Sequence, residues 1–154
     1  MKFLLLLFTS ILFSPAANEI PPTNQKIIEY VKTVVGKKVD RGECWDLANA
    51  ALNYANAKWE APFNFGKPID YKKEEILPGD LIHINNLTME SKEGNAVTHW
   101  KMSEHTAILF EVKAEGKVMI AEQNVNKIRK VMINEWNLND VKSGKMQFFR
   151  PQAK

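Results

Sequence analysis

The chain has 154 residues and a single cysteine, Cys44, which excludes a disulfide bond within it. It has only three histidines, His83, His99 and His105, and no two of them are spaced as in HExxH or another tight ligand motif. We therefore predict neither a zinc site nor any other metal or cofactor. Internal repeats and low-complexity segments are also absent from the sequence, and its length predicts one domain.

Charge of one sign is not concentrated anywhere in the sequence. The formal net charge is +3, and the Lys and Arg residues are scattered among Asp and Glu. The densest basic run, residues 127–130, includes the apolar Ile128 and is typical of a solvated surface strand. A nucleic-acid partner is therefore not expected.

Long apolar runs are missing as well, apart from one at the N-terminus. Lys2 precedes an apolar run over residues 3–13, and small residues follow it. This pattern predicts a signal peptide over residues 1–16, cleaved after Ala16 or, as the second choice, after Ala17. The run is shorter than the ~20 residues of a membrane span, so no stable membrane insertion is expected after cleavage. We predict a secreted or periplasmic protein with a linker over residues 17–23.

The pattern of apolar residues predicts helices first and strands afterwards. The first predicted helix is capped by Thr23 or Asn24 and ends at Gly36, and the second covers residues 44–55. Strands are predicted at residues 81–84, 105–112, 117–123, 128–133 and 145–150. Between these elements we predict a structured loop (58–76), a long loop or exposed hairpin (85–103) and a turn or single helical turn (136–140). This order indicates an α+β domain with helices on one face of an antiparallel sheet.

Cys44 is predicted to lie in the first turn of the second helix. At a helix N-terminus the macrodipole stabilises a thiolate and lowers its pKa, which favours a nucleophile. Free cysteines are also commonly buried in protein cores. Position alone therefore leaves a structural role open.

A histidine and two polar residues follow Cys44 in the order that thiol chemistry needs. His105 opens a predicted strand, where it can take the thiol proton and return it to a leaving amine. Glu122 and Asn124 lie at the end of the next predicted strand and share one side of it. If the two strands form a hairpin, either residue can reach His105 and fix its tautomer, the role of the third member of a catalytic triad. The sequence leaves open which of the two does so.

The other two histidines are predicted to have no catalytic role. His83 lies inside an apolar strand, and we expect it to be packed and hydrogen-bonded. His99 stands beside Trp100 in a polar segment, and we expect it at the surface.

Five fragments in a fixed order carry a resemblance to a known family. They are Gly42-Glu43-Cys44-Trp45 with Leu47-Ala48, Pro78-Gly79-Asp80-Leu81-Ile82, His105-Thr106-Ala107-Ile108-Leu109, Glu122-Gln123-Asn124 and Phe148-Phe149-Arg150-Pro151. Together they resemble the cysteine, histidine-dependent amidohydrolase/peptidase (CHAP) family over residues 24–151. The resemblance implies a papain-like fold and hydrolysis of amide bonds in peptidoglycan. It also implies Cys44 as nucleophile, His105 as base, Glu122 as the group that orients His105, and Asn124 as a polar group beside it.

Two other functions remain open at this point. The same scaffold can carry a peptidase or an acyltransferase that acts on protein, so the partner is either peptidoglycan or a peptide substrate. The chain can also be a non-catalytic secreted domain that binds or inhibits another protein. The presence of Cys44, His105 and Glu122 together argues against the non-catalytic alternative, because a binding domain does not need all three.

Overall fold

The computed structural model describes residues 19–61, 63–114 and 116–154, without the side chain of Glu93. The predicted signal peptide, residues 1–16, and the start of the predicted linker lie outside the described residues. Within the described part of the chain, no helix is long and apolar enough to span a membrane.

Among the described residues, two helices precede a sheet of antiparallel strands. The helices are α1 (Pro22–Val34) and α2 (Cys44–Tyr54). The strands are β1 (Ala57–Lys58), β2 (Lys67–Ile69), β3 (Leu81–Glu93), β4 (Ala96–Val112), β5 (Lys117–Glu122), β6 (Met132–Asn137), β7 (Val141–Arg150) and β8 (Gln152–Ala153). Six of them form one sheet in the order β2-β7-β3-β4-β5-β6, and β1 pairs with β8. The predicted α+β arrangement of two helices and an antiparallel sheet is therefore observed.

Buried apolar side chains form two layers, one on each face of the sheet. Leu81 and Ile108 pack with the helix residues Ile27 and Leu47 in the first layer. Their strand neighbours, such as Ile82, belong to the second layer. Successive side chains of a strand point to opposite faces, so the sheet separates the two layers and α2 packs against the first.

The start of α1 differs from its prediction. The helix begins at Pro22, with Pro21 in the cap position, and not after Thr23 or Asn24. Proline suits the first turn of a helix, because its fixed φ is helical and the missing N–H has no partner there in any case. Asn24 is instead buried, and its amide donates to the carbonyl of Pro78 (3.0 Å) and to Asp80 (2.8 Å). Residues 19–23 of the predicted linker are described: residues 19–21 precede α1, whereas Pro22 and Thr23 belong to the helix itself.

Asp80 joins three distant parts of the chain. Its two carboxylate oxygens accept hydrogen bonds from Asn24, from the backbone N–H of Leu77, and twice from Arg150 at the end of β7. Gly79 has a φ of +88°, and a Cβ on it would collide with the backbone of Asn24. The Pro-Gly-Asp turn is thus the joint that fastens α1 to the sheet, which gives this fragment a structural role.

The hairpin of β3 and β4 is longer than the predicted strands. Of the two predictions for residues 85–103, the exposed hairpin is correct, and β3 pairs with β4 from Leu81↔Ile108 to Glu93↔Ala96. The strand predicted over residues 128–133 begins later in the structure, at Met132, and is β6. Asn126 and Lys127 have positive φ and form a turn before it. Trp136 is therefore a buried strand residue, and the helical turn that follows covers Leu138–Asp140.

Candidate active site

Cys44 is the first residue of α2, and local hydrogen bonds explain why the helix begins there. Glu43 is extended in the cap position, and its backbone N–H donates to the carboxylate of Asp46 in the first turn (3.0 Å). Arg41 donates to the other oxygen of Asp46 at 2.7 Å. These contacts fix the position of Cys44, whose side chain is half-buried and faces the sheet.

The thiol of Cys44 lies beside the side chain of His105 and the backbone of Thr106 on β4. Burial raises the pKa of the thiol, but the hydrogen-bonding influence of His105, Thr106 and the backbone of Trp45, together with the imidazolium charge, outweighs burial, so the pKa is lowered. Burial lowers the pKa of His105, whereas its hydrogen bonds to Cys44 and Glu122 and their charges raise it to about 9. Both shifts favour a thiolate–imidazolium pair.

Glu122, the last residue of β5, completes a line of three groups. Its Oε2 lies 2.9 Å from Nε2 of His105, and both side chains are buried. The other oxygen, Oε1, accepts a hydrogen bond from the amide of Asn134 on β6 at 2.8 Å. Because Nε2 contacts Glu122, Nδ1 is the ring nitrogen left to face Cys44. The predicted hairpin does bring His105 and Glu122 together.

Asn124 lies close to this line but contacts a different residue. It has a φ of +63°, and its amide donates to the carboxylate of Glu43 at 2.6 Å. The other oxygen of Glu43 forms an ion pair with Arg129 at 3.1 Å. Of the two residues that the sequence offered as partners of His105, Glu122 makes that contact, and Asn124 holds the residue that precedes the nucleophile.

The sequence analysis missed two polar residues of the site. Gln123 is fully buried, accepts from the backbone N–H of Val39 (2.8 Å), and donates to the carbonyls of Val39 (3.1 Å) and Glu43 (2.8 Å). It ties the segment before Cys44 to the end of β5. The signal in the sequence was its position between Glu122 and Asn124. On a strand, its side chain points away from theirs, so it is placed to support the site from the opposite side. Asn134 gave no such signal in an ordinary polar strand.

The remaining histidines lie outside the line. His83 is packed as predicted, with its ring stacked on Phe63 at 4.0 Å. The predicted hydrogen bond is not found at its buried Nδ1, which has no partner among the described residues. His99 is exposed, and its Nδ1 lies 3.8 Å from Glu90. Within residues 19–61, 63–114 and 116–154 no three His, Cys, Asp or Glu side chains are grouped so as to hold a metal ion.

A groove of about 720 Å³ adjoins the candidate site. One wall is the segment 99–104 of β4, and the other includes Met132 and residues 134–136 of β6. Glu122 and Asn124 also line it, so the groove reaches the groups that hold His105 and Glu43.

Comparison with known proteins places this arrangement among cysteine proteinase folds. The model of the AIM3/BBC1 cysteine proteinase-fold domain matches residues 23–154. A curated relative, Altered inheritance of mitochondria protein 3 of Debaryomyces hansenii, is 28% identical over 171 aligned positions. The alignment covers 93% of this chain and 18% of that relative, so the chain spans less than a fifth of its length.

Two solved structures are similar in fold. The crystal structure of Ly7917 matches with a TM-score of 0.50, and that of Ly7917 with the hydrolyzing product of MDP matches with a TM-score of 0.53. Both are 16% identical to this chain, and each match covers 83% of this chain and 62% of the other. The papain-like cysteine proteinase fold is therefore confirmed, whereas membership of the CHAP family stays a prediction.

Proposed function

The chain belongs to the AIM3/BBC1 cysteine proteinase-fold domain family, and from that premise we propose that it is a cysteine hydrolase that cleaves amide bonds. The observation that carries the proposal is the line of Cys44, His105 and Glu122, in which a half-buried thiol at a helix N-terminus meets an imidazole held by a buried carboxylate. A buried structural cysteine needs neither of these partners.

In the proposed mechanism, the Cys44 thiolate attacks the carbonyl carbon of the amide. The backbone N–H of Cys44, at the N-terminus of α2, stabilises the negative charge that develops on the carbonyl oxygen. His105 protonates the leaving amine, and the C–N bond breaks to give an acyl-enzyme. His105 then takes a proton from water, which attacks the thioester and releases the acid. Glu122 keeps Nδ1 of His105 directed at the sulfur throughout.

Peptidoglycan is the first substrate class in this proposal. It is supported by the resemblance to CHAP hydrolases and by the predicted signal peptide, which would bring the enzyme to the cell wall. N-terminal sequencing of the exported protein tests the second point. A start at Ala17 or Asn18 supports export with cleavage, and a retained Met1 contradicts it.

A peptide or protein substrate is the second candidate, because the relative comes from a yeast, and yeast cell walls contain no peptidoglycan. A non-catalytic binding role is the third, since the family description names a fold and not an activity. An ordinary thiol pKa of ~8.5 for Cys44 would support the non-catalytic role.

The decisive experiment incubates the full chain and its Cys44→Ala variant with purified peptidoglycan and, separately, with an unfolded protein. Released fragments are identified by mass spectrometry, with and without a primary amine as competing acceptor. Fragments from peptidoglycan that vanish with Cys44→Ala establish the wall hydrolase and identify the bond. Fragments from the protein alone establish a peptidase, and amine adducts establish an acyltransferase. If no substrate changes, hydrolysis is rejected in favour of the binding role.

A further inference from the structure

A smaller cavity of about 210 Å³ shares no lining residue with the groove or with the line of Cys44, His105 and Glu122. Its walls come from the segment after α2, from the loop before β2 and from β8. The residues that line it are Lys58, Trp59, Glu60, Asn64, Gly66 and Gln152. Because its volume is below the range of drug-sized ligand sites, it suits a ligand about as large as one six-membered ring.

Backbone pairing holds the walls of this cavity together. Lys58 on β1 pairs with Gln152 on β8, and Glu60 and Asn64 exchange two backbone hydrogen bonds of 2.9 and 3.1 Å. Gly66 has a φ of +130° and lies so close to the backbone before β8 that a Cβ on it would collide there. The cavity is therefore shaped by the fold itself and exists before any ligand binds.

Trp59 presents an indole ring of fixed orientation to the cavity. Its N–H donates to Oδ1 of Asn53 on α2 at 3.1 Å, and its ring meets that of Trp45 edge-on with centroids 5.3 Å apart. Trp59 is only partly buried, so part of the ring is left for a ligand. Since Trp45 follows Cys44 in the chain, one ring contact separates the cavity from the first turn of α2.

The polar side chains of the cavity have unused hydrogen-bonding capacity. Those of Lys58, Glu60 and Asn64 make no hydrogen bond or ion pair with another described residue. Gln152 uses only its amide N–H group, in long contacts of 3.3 and 3.4 Å with two carbonyls at the end of β7 and just after it. The charges of Lys58 and Glu60 cancel, so the cavity favours a neutral ligand that carries several hydroxyl groups.

We propose that this cavity binds a neutral sugar ring. The apolar C–H face of the sugar lies on Trp59, whose indole offers a large and rigid apolar surface. The hydroxyl groups bond to Asn64 and Gln152, because an amide side chain both donates and accepts hydrogen bonds, as a hydroxyl does. The site is separate from the reacting groups, so this inference goes beyond the proposed function and holds whether or not Cys44 cleaves an amide.

The test follows the indole N–H signals of the full chain by NMR while methyl β-glucoside is added. We expect the signal of Trp59 to shift with a dissociation constant of about 1 mM, which a ligand of about a dozen heavy atoms reaches at ordinary ligand efficiency. The signal of Trp100, an exposed tryptophan that lines the other cavity, should not move. Sorbitol carries similar hydroxyl groups but has no ring, so it should leave Trp59 unchanged.

Gln152→Ala tests the polar half of the site without altering the indole. Its side chain is exposed and its backbone pairing with β1 is kept, so the fold should persist. We expect methyl β-glucoside to bind about fivefold more weakly, the loss that a hydrogen bond of ordinary strength gives. Gln25→Ala, the same change at an exposed glutamine of α1, is the matched control and should bind as the unaltered chain does.

Cellobiose distinguishes two sources of such a ring. Binding several-fold tighter than that of methyl β-glucoside assigns the site to a glycan chain, whereas equal binding assigns it to a free sugar. The proposal is overturned if Trp59 does not shift at about fifty times the expected dissociation constant. Equal shifts with sorbitol, or equal weakening by Gln152→Ala and Gln25→Ala, overturn it as well.

Discussion

Two buried carboxylates, Asp80 and Glu122, have similar surroundings but different partners. Each is almost completely buried, and each accepts hydrogen bonds at both oxygens. Asp80 pairs with Arg150, whose charge is permanent. Glu122 pairs with His105, whose charge depends on pH and whose ring faces a half-buried thiol. Burial and pairing alone therefore do not identify a catalytic carboxylate. What distinguishes Glu122 is that its partner is titratable and itself faces a half-buried thiol.

The two carboxylates also differ in what they connect. The partners of Asp80 come from the first turn of α1, from the turn before β3 and from the end of β7. The partners of Glu122 come from the neighbouring strands β4 and β6. Asp80 thus holds distant elements together, whereas Glu122 orients one side chain within the sheet. Exchanging each carboxylate for its amide separates the two roles.

The largest effect is expected for Glu122→Gln. The amide of the new side chain can donate to Nε2 of His105, which moves the ring proton to Nδ1 and leaves the thiol facing a donor. By analogy with the corresponding change in serine proteases, hydrolysis should fall by about 10³- to 10⁴-fold. Steady-state kinetics on the cleaved substrate measure the loss, and iodoacetamide rates against pH should show a higher pKa for Cys44. A variant with near-normal activity would remove Glu122 from the mechanism.

Asp80→Asn should have the opposite profile. It leaves the guanidinium of Arg150 without its carboxylate, and breaking a buried ion pair typically costs about 3 to 5 kcal/mol. Because Arg150 is partly exposed, we expect the lower end of that range for the loss of unfolding free energy, measured by urea titration. The rate of Cys44 alkylation in the folded protein should not change. A slower alkylation without a loss of stability would reverse the comparison.

Gln123→Ala sharpens the comparison. Gln123 neighbours Glu122 in the chain but, like Asp80, holds distant segments together, because it bonds to backbone groups before α2. The substitution leaves three backbone groups of Val39 and Glu43 without their partner. We expect a loss of about 1 to 3 kcal/mol in unfolding free energy. Since these contacts fix the approach to α2, alkylation of Cys44 should slow as well, and Gln123→Glu should restore neither fully. Unchanged values of both quantities would show that α2 is fixed by its own cap.

The smallest effect is expected for pH. Burial lowers the pKa of His105, but the influence of Cys44 and Glu122 raises it from 6.5 to about 9 in the folded chain. The stability that this protonation contributes is fully present below pH ~6.5 and is lost as pH rises through the folded pKa. The thiol titrates in the opposite sense, so the measurement uses Cys44→Ala. Urea unfolding of that variant between pH 6 and 10 should show a decline that Glu122→Gln in the same background reduces. The hydrogen bond to Asp80 raises the pKa of Arg150, so this guanidinium stays charged over the range and should add no slope.

Much of the fold could be predicted because its signals are local. The apolar spacing of α2 and the turn before β3 appear directly in the sequence, as does the order of Cys44, His105 and Glu122. The start of α1 was placed two or three residues late, because Asn24 resembles a cap residue but is used by Asp80 across the fold. The hairpin beyond Asn85 is mostly exposed and polar, so it lacks the apolar alternation by which a strand is recognised.

The supporting residues of the site could not be predicted in the same way. Gln123 acts on Val39 and Glu43, which are about 80 positions away in the chain, and Asn134 acts on Glu122 across a strand pair. Contacts of this kind depend on the register of β5 and β6, which a single sequence does not specify. The choice between Glu122 and Asn124 needed the same register. The groups that react were therefore visible in the sequence, whereas the groups that hold them became visible only in three dimensions.

The single thiol also allows molecules of this protein to be counted by chemical labelling. Since the chain has one cysteine and its side chain is half-buried, each folded molecule can consume one equivalent of a sulfur-selective dye. The number of chains with a reduced thiol in any preparation can then be determined by stoichiometry, with no need to know the substrate. A fluorophore attached in this way would report from the N-terminus of α2 alone.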